Sequence, residues 1–349
     1  ESCAVRRPDS MYDWNSDVMV KRILLFLALA AAPAMQAQLL PNYGEERAGL
    51  SSFTYLKSPV DPWSAGLGGT SLANTSSFGM VTNPALLSAG TQQGLFTSSR
   101  ALGGSISHDF VSLSKARTPN QVVGFAVNSL TSGGIVERTV WQPEGTGRIV
   151  EGALHTVGVG VSQRFSDYFN AGVQLKYGQE RLGAFTAHSV ALDLGFHYEL
   201  DYRELSFAAA ILNFGPSTSV VQTGTLPTTV NTDTTASSVA APPQVFAMGM
   251  RFNAVERGDH KVYASFQLNH PSDNNENYSV GAEYWYMDLI EVQVGYRMVS
   301  RWGAPSFGFS TKTQLGGWPM KLGVSAIPSP AGNYQTVFGL TLTPLNWTL

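Results

Sequence analysis

Beyond Gly104, bulky apolar residues return at every second position along the chain. In HTVGVGVSQRFSDYFNAGVQLKYG, residues 155–178, Val157, Val159, Val161 and Phe165 alternate with Gly158, Gly160, Ser162 and Arg164. After a short polar turn, Ala171, Val173, Leu175 and Tyr177 alternate with Gly172, Gln174, Lys176 and Gly178. A period of two predicts strands, and the pair reads as an antiparallel hairpin. One face of it is apolar throughout, while the other carries glycine, amide and full charge. The dry side of such a hairpin is either a protein core or a bilayer.

The same alternation recurs downstream. Val190, Leu192, Leu194, Phe196 and Tyr198 face away from Ser189, Asp193 and His197; Phe246, Met248, Met250 and Phe252 from Gly249 and Arg251; Ile290, Val292, Val294, Tyr296 and Met298 from Glu291, Gln293 and Arg297. Phe338, Leu340 and Leu342 close the series. The pattern predicts 14 strands, at 105–114, 121–129, 134–141, 153–165, 170–179, 187–199, 204–213, 244–252, 261–269, 278–286, 290–298, 304–313, 320–327 and 335–343. Connections between them alternate longer and shorter, as they do between the two rims of an outer-membrane barrel, where the short turns face the periplasm. Residues 94–100 would spoil that phase as an extra strand and are assigned to the segment before the barrel. No segment keeps a helical period, and none is long enough to span a membrane as a helix.

Charge separates the two candidate all-β architectures. Charged residues make up 13% of the chain, about half the usual share for a soluble domain. The polar faces of the strands include charges of both signs: Arg164, Lys176, Asp193, Arg251, Glu283, Glu291, Arg297 and Lys321. A β-sandwich buries apolar faces against each other and must protect its edge strands. A barrel has no edges and can turn mixed charge into a hydrated lumen, whereas an arginine or lysine facing lipid at midplane costs roughly 2–4 kcal/mol. The expected fold is therefore an all-β, 14-stranded antiparallel transmembrane β-barrel. Arg164, Lys176, Asp193, Glu283 and Arg297 are expected to form a polar network in its lumen, and Tyr177, Tyr198, Tyr286, Tyr296, Phe165 and Phe252 an aromatic girdle near the strand ends.

The N-terminus carries an export pattern. Lys21 and Arg22 precede the apolar run ILLFLALAAA, Ile23 to Ala32, and AMQA ends at Ala37. This reads as a signal peptide over 19–37, with 1–18 as upstream translated residues. The exported chain then loses Cys3, the single cysteine, and with it any thiol or disulfide chemistry. Residues 38–104 are expected as a hatch or plug segment, and 105–349 as the barrel. In the hatch, the glycines of GLGG let backbone pass close to the wall.

Candidate chemistry is sparse. His108, His155, His188, His197, His260 and His270 are scattered without metal-ligand spacing. There is no phosphate-binding GxxxxGK[ST] and no GxSxG, and GVGVSQ fails the dinucleotide pattern because Gln163 stands where its last glycine belongs. No catalytic residue, metal or cofactor is expected. A formal charge of −3 without a basic stripe argues against nucleic acid as a partner. The connection 214–243, rich in Ser, Thr and Pro, is either a docking loop or a loop of no special role.

The order of motifs resembles the PorV/PorQ family of outer-membrane proteins, relatives of the FadL transporters. WSAGLGGTSLANTSSFGMVTNPALL is similar to the family's glycine-rich opening, with Gly66, Gly68 and Gly69, followed by its Asn83-Pro84-Ala85 turn; GVQLKYG, ALDLGFHY, AAAILNFG, SVGAEYWYM, VGYR and SFGFS follow in family order. The resemblance implies a FadL-like 14-stranded barrel and a role in the type IX secretion system. Its implied partners are the giant translocon barrel, the C-terminal signal domains of cargo proteins, or subunits of the attachment complex, in contact with outer-membrane lipid. The alternative is a FadL-like transporter of small hydrophobic compounds. An apolar, ligand-sized pocket lined by the hatch favours transport.

Overall fold

The computed structural model describes residues 51–75, 77–89, 94–103, 105–222, 238–298, 303–329 and 332–343. The signal-peptide and upstream segments, and residues 38–50 of the expected hatch, lie outside them.

Alternating sequence becomes wall. The strands are β1 (Gly94–Gly103), β2 (Ile106–Thr118), β3 (Gln121–Val136), β4 (Ile149–Arg164), β5 (Phe169–Leu182), β6 (Phe185–Leu200), β7 (Leu205–Phe214), β8 (Thr218–Gln222), β9 (Ser238–Ala240), β10 (Val245–Arg257), β11 (His260–Pro271), β12 (Asn277–Tyr286), β13 (Ile290–Met298), β14 (Pro305–Leu315), β15 (Trp318–Pro328) and β16 (Tyr334–Leu342). Each pairs antiparallel with its neighbour, β7 pairs with β10, and the β1–β16 and β5–β6 ladders complete a closed 14-stranded barrel. The short β8 and β9 extend β6 beyond the ring.

The strand count agrees with expectation through two compensating differences. Residues 94–103 are wall: Phe96 pairs with Thr341 and Ser98 with Phe110, so the barrel begins at β1 and not at 105. Its outward positions are Thr97, Ser99 and Ala101 while Phe96 and Arg100 are buried, which inverts the pattern that marks the other strands. In turn, 134–141 is not a strand of its own. β3 runs unbroken through Val136, with a register shift between Thr131 and Gly134. Gly133 there adopts φ 62°, and Ser132 Oγ accepts from the Gly152 amide at 2.8 Å, so a bulge stands where a turn is expected. Residues 137–141 belong to the loop that follows, and the 119–120 turn moves to the short-turn rim.

The rims differ as the alternation requires. One carries the tight turns 119–120, 165–168, 201–204, 258–259, 287–289 and 316–317; the other carries the 137–148 and 215–244 connections. At Gly316-Gly317, φ values of 59° and 86° suit a two-residue hairpin turn. β1 begins and β16 ends on the short-turn rim.

Outward positions are apolar: Val157, Val159, Leu175, Phe196, Val292, Val294, Phe307 and Phe338 are exposed, as are Tyr177, Tyr198, Tyr286, Tyr296 and Phe165. Toward the long-loop rim this band stops at a line of polar residues standing abreast across six strands, Ser99, Asp109, Ser129, His155, Gln179 and His188. Ser99 Oγ donates to Asp109 at 2.5 Å, Ser129 Oγ and His155 Nδ1 are 2.9 Å apart, and the Tyr177 hydroxyl meets His188 Nδ1 at 2.8 Å.

The core lies inside the ring. Residues 51–89 form two short helices, α1 (Pro62–Gly66) and α2 (Gly79–Thr82), and 3-10 turns at Thr54–Lys57 and Pro84–Leu87. Asp61 caps α1, its side chain accepting from Ser64 N at 2.8 Å, and proline at the first helical position needs no amide partner. Trp63, Phe78, Phe96 and Phe110 form an aromatic cluster, with Phe78 at 5.2, 5.4 and 5.6 Å from the other three rings.

Candidate functional site: the lumen and the segment that fills it

The segment 51–89 touches every strand of the ring. Arg100 and Phe110 meet it from β1 and β2, and Gly124, Ser162, Gly172 and Asn83's partner Phe196 from β3 to β6. Ala208 on β7 and Gly249 on β10 meet Leu72; Ser265, Glu283, Arg297 and Ser306 follow on β11 to β14; Gly323 and Gly339 meet Pro62 on β15 and β16. Only a segment inside a closed ring can do this. It starts beside the long loops, where Ser51 bridges Ala241, and ends at the short-turn rim, where Ser88 meets Ser162 and Asn170.

The motif residues make this close fit. Gly66 O accepts from Ser306 Oγ at 3.0 Å, and Gly68 O from Arg297 Nε at 3.1 Å. Gly69, at φ 93°, clears room for the Arg297 guanidinium: a Cβ there would stand 2.1 Å from Nη2. Asn83 caps the following turn through Ala85 N at 3.0 Å and donates from Nδ2 to Leu72 O and Phe196 O, both at 3.1 Å, tying the segment to itself and to β6. Ala85 O accepts from Ser162 Oγ at 3.0 Å. Wall glycines match them. A Cβ on Gly295 would lie 2.0 Å from the Leu67 carbonyl carbon, and one on Gly172 would lie 2.4 Å from that of Pro84.

The five expected network residues all face inward but do not form one network. Lys176 pairs with Asp193 at 2.7 Å, and Asp193 also accepts from Asn213 N at 2.7 Å. Glu283 pairs with Arg251 at 3.0 Å on the other side of the ring. Arg297 and Arg164 instead bind segment carbonyls, Gly68 O and Ser88 O, the latter at 2.8 Å. A further pair joins Lys321 to Glu291 at 2.9 Å, with the Lys321 ammonium 4.5 Å from the Trp63 ring and 4.9 Å from Trp285. Arg100, absent from the candidates because residues 94–100 are assigned to the segment before the barrel, donates to Ser58 Oγ at 2.6 Å, Pro59 O at 3.2 Å and Gln335 Oε1 at 3.1 Å. Burial raises the pKa of the Asp61 carboxyl above the usual range, against the hydrogen bonds from Ser64 and the nearby Lys321 charge.

Space remains at the long-loop end. A cavity of about 560 Å³ lies among Lys57, Arg100, Arg297, Ala65, Ile327 and Pro328. A smaller one of about 260 Å³ shares Lys57 and Arg297 with it and runs along Leu72, Val81, Leu212 and Val245. The Lys57 ammonium at its mouth pairs with Asp273 at 2.6 Å. His108 and His197 are buried in the lumen while His155, His188, His260 and His270 lie on the outer surface or rims; among the described residues no cluster of three His, Cys, Asp or Glu is close enough to hold a metal.

No protein-family model matches the chain, and no curated protein matches it in sequence. Solved structures do match in fold. The toluene transporter TbuX of Ralstonia pickettii superposes with a TM-score of 0.52 at 11% identity, over 82% of this chain and 98% of that one. CymD, a monoaromatic hydrocarbon channel, does so with a TM-score of 0.56 at 12% identity, over 84% and 99%. At such identity the likeness is one of fold, and the fold they share with this chain is the closed antiparallel barrel described above.

Proposed function

We propose that this chain is an integral outer-membrane channel, not an enzyme, through which small, largely apolar molecules pass. The observation that carries the reading is the lumen: residues 51–89 close its bore yet leave an amphipathic cavity at the long-loop end. Passage through such a barrel requires the segment to shift, which makes 51–89 its hatch. The two similar folds support the reading, since both belong to proteins described as hydrocarbon channels or transporters. Cells carrying the protein in their lipopolysaccharide-covered outer membrane should take up toluene faster than matched cells lacking it, and equal rates would sink the proposal.

Outer-membrane placement rests on the apolar band. On β4 it spans the eight steps from His155 to Gln163, roughly 26 Å along the strand at about 3.3 Å per residue, or about 20 Å of height at a tilt near 40°. That suits a thin outer membrane. Val159→Arg, in mid-band, should cost roughly 2–4 kcal/mol of folding free energy in lipid vesicles, and His155→Arg at the polar line about 0–1. Equal costs measured by urea titration would remove the band's claim to be a lipid face.

A second reading, component of the type IX secretion system, is favoured by the ordered motifs from WSAGLGG to SFGFS. In it the filled lumen is permanent, and loops or rim bind the translocon barrel, cargo signal domains or attachment-complex subunits. Deletion of the gene would then abolish export or surface attachment, and normal export in the deletion strain would end this reading.

A further inference from the structure

Three inward side chains on neighbouring strands meet in one buried spot: Lys176 on β5, Asp193 on β6 and Asn213 on β7. They are 9%, 1% and 2% exposed. The Lys176 ammonium lies 2.7 Å from the Asp193 carboxylate and also donates to the side-chain carbonyl oxygen of Asn213. That carboxamide is held in one orientation, because its Nδ2 donates to Pro243 O at 3.2 Å and so turns the carbonyl toward Lys176. The Asn213 main chain is fixed as well: its N–H donates to Asp193 Oδ1 at 2.7 Å, and its φ is 57°, where the β6–β7 ladder slips. The Lys321–Glu291 pair elsewhere in the lumen is built differently, since the amide beside it, Gln293, presents nitrogen to the carboxylate.

An amine, a carboxyl group and a carboxamide held together out of water are the parts of an amide exchange. A lysine amine is a competent nucleophile once it has lost its proton, and fixed contact between reacting groups removes the entropy cost of bringing them together. We propose that Lys176 and Asn213 join in an intramolecular isopeptide bond. Lys176 passes one proton to Asp193, and the freed Nζ lone pair forms a bond to Asn213 Cγ. The Cγ–Nδ2 bond breaks, its electron pair leaving on Nδ2, which takes a second proton from Nζ and is released as ammonia. Ammonia then takes the proton held by Asp193, departs as ammonium and restores the carboxylate. No oxidant, reductant or further co-reactant enters. A cavity of about 20 Å³ beside Lys176, with Leu56, Val81 and Thr156 in its lining, has room for one water-sized molecule and receives the leaving group.

The product ties β5 to β7 across β6, at the slip in the ladder and at the root of the 215–244 connection. A disulfide cannot supply this brace, because the described residues contain no cysteine. The bond belongs to the wall and is independent of what the barrel passes or docks. Mass spectrometry of the protein purified from outer membranes tests it. The chain should be lighter than its sequence by one ammonia, trypsin should not cut after Lys176, and the peptide containing Lys176 should be joined to the one containing Asn213. Lys176→Arg, Asp193→Asn and Asn213→Gly should each restore the full sequence mass, glycine being the replacement that accepts φ 57° without strain. Wild-type protein at full mass, with unlinked Lys176 and Asn213 peptides, would overturn the proposal. So would an ammonia loss that maps elsewhere, to a cyclised N-terminal glutamine or a succinimide. A cross-link that survives in Asp193→Asn would overturn the part assigned to that carboxylate. Should the variants fail to fold, the wild-type mass and peptide map decide alone.

Discussion

Replacing both Gly172 and Gly295 with valine should open the barrel to ions. At each position an added Cβ would meet backbone, not the tip of a yielding side chain: the Pro84 carbonyl carbon at 2.4 Å and the Leu67 carbonyl carbon at 2.0 Å, with Gly68 N at 2.2 Å beyond it. Real Cβ atoms do not tolerate such distances, so the segment must leave the wall on two opposite sides. The wall itself should persist, because valine suits a strand and the ladders through β5 and β13 are main-chain bonds that side chains do not supply. Planar-bilayer recordings should show a closed wild-type protein and a steady open current in the double variant. Limited proteolysis should cut within 51–89 in the variant alone. Val294→Leu, an outward change next to one of the sites, should do neither. A double variant that stays closed and uncut would mean that the segment is not seated by these contacts.

Breaking the Lys176–Asp193 pair should be the most destabilising single change in the lumen wall. Asp193 is 1% exposed and joins three elements: Lys176 on β5, its own strand β6, and the Asn213 amide on β7, where the ladder slips between Leu192 and Leu194. Asn213 adopts φ 57° at that slip, so the carboxylate is part of what holds an otherwise unfavourable backbone. Lys176→Met leaves a buried carboxylate without its cation, which costs about 3–5 kcal/mol. Lys176→Met combined with Asp193→Leu removes the stranded charge but still orphans the Asn213 amide, which costs about 1–3 kcal/mol. The double variant should therefore be more stable than Lys176→Met alone in urea unfolding from vesicles. The reverse order would show that the pair contributes little and that Asp193 acts through Asn213 alone.

Much of this architecture is written locally. Which side of β4, β5, β6 or β13 faces out is legible because alternation is a property of one strand at a time, and a slip of one residue would turn every charge on it outward. Turn lengths likewise show on which rim the long connections lie. Where the local signal fails, expectation fails with it. β1 is set aside because an extra strand would break the alternation of connection lengths, and its own pattern gives no correction, since it puts Phe96 and Arg100 inward and Thr97 and Ser99 outward. Ser132-Gly133 reads as a turn because glycine permits one, while the bulge found there depends on a hydrogen bond from Gly152, on the next strand.

The lumen is a different matter. Eight charged inward residues, though not Arg100, are visible in the sequence, but which ones pair is set by the order of strands around a closed ring. That order brings Lys321 to Glu291 and leaves Arg297 with a backbone carbonyl. The roles of Gly172, Gly195 and Gly295 depend on which residue of 51–89 arrives opposite, a contact spanning up to 228 residues of chain between Leu67 and Gly295. The sequence by itself determined the strands' inward and outward faces, the all-β class and the asymmetry of the rims, because hydrophobic alternation and turn chemistry act between residues close in the chain. Only the tertiary structure decided the closure through β1, the seat of the N-terminal segment, the charge pairs and the arginine-lined cavity, because each requires surfaces distant in sequence to meet inside one ring.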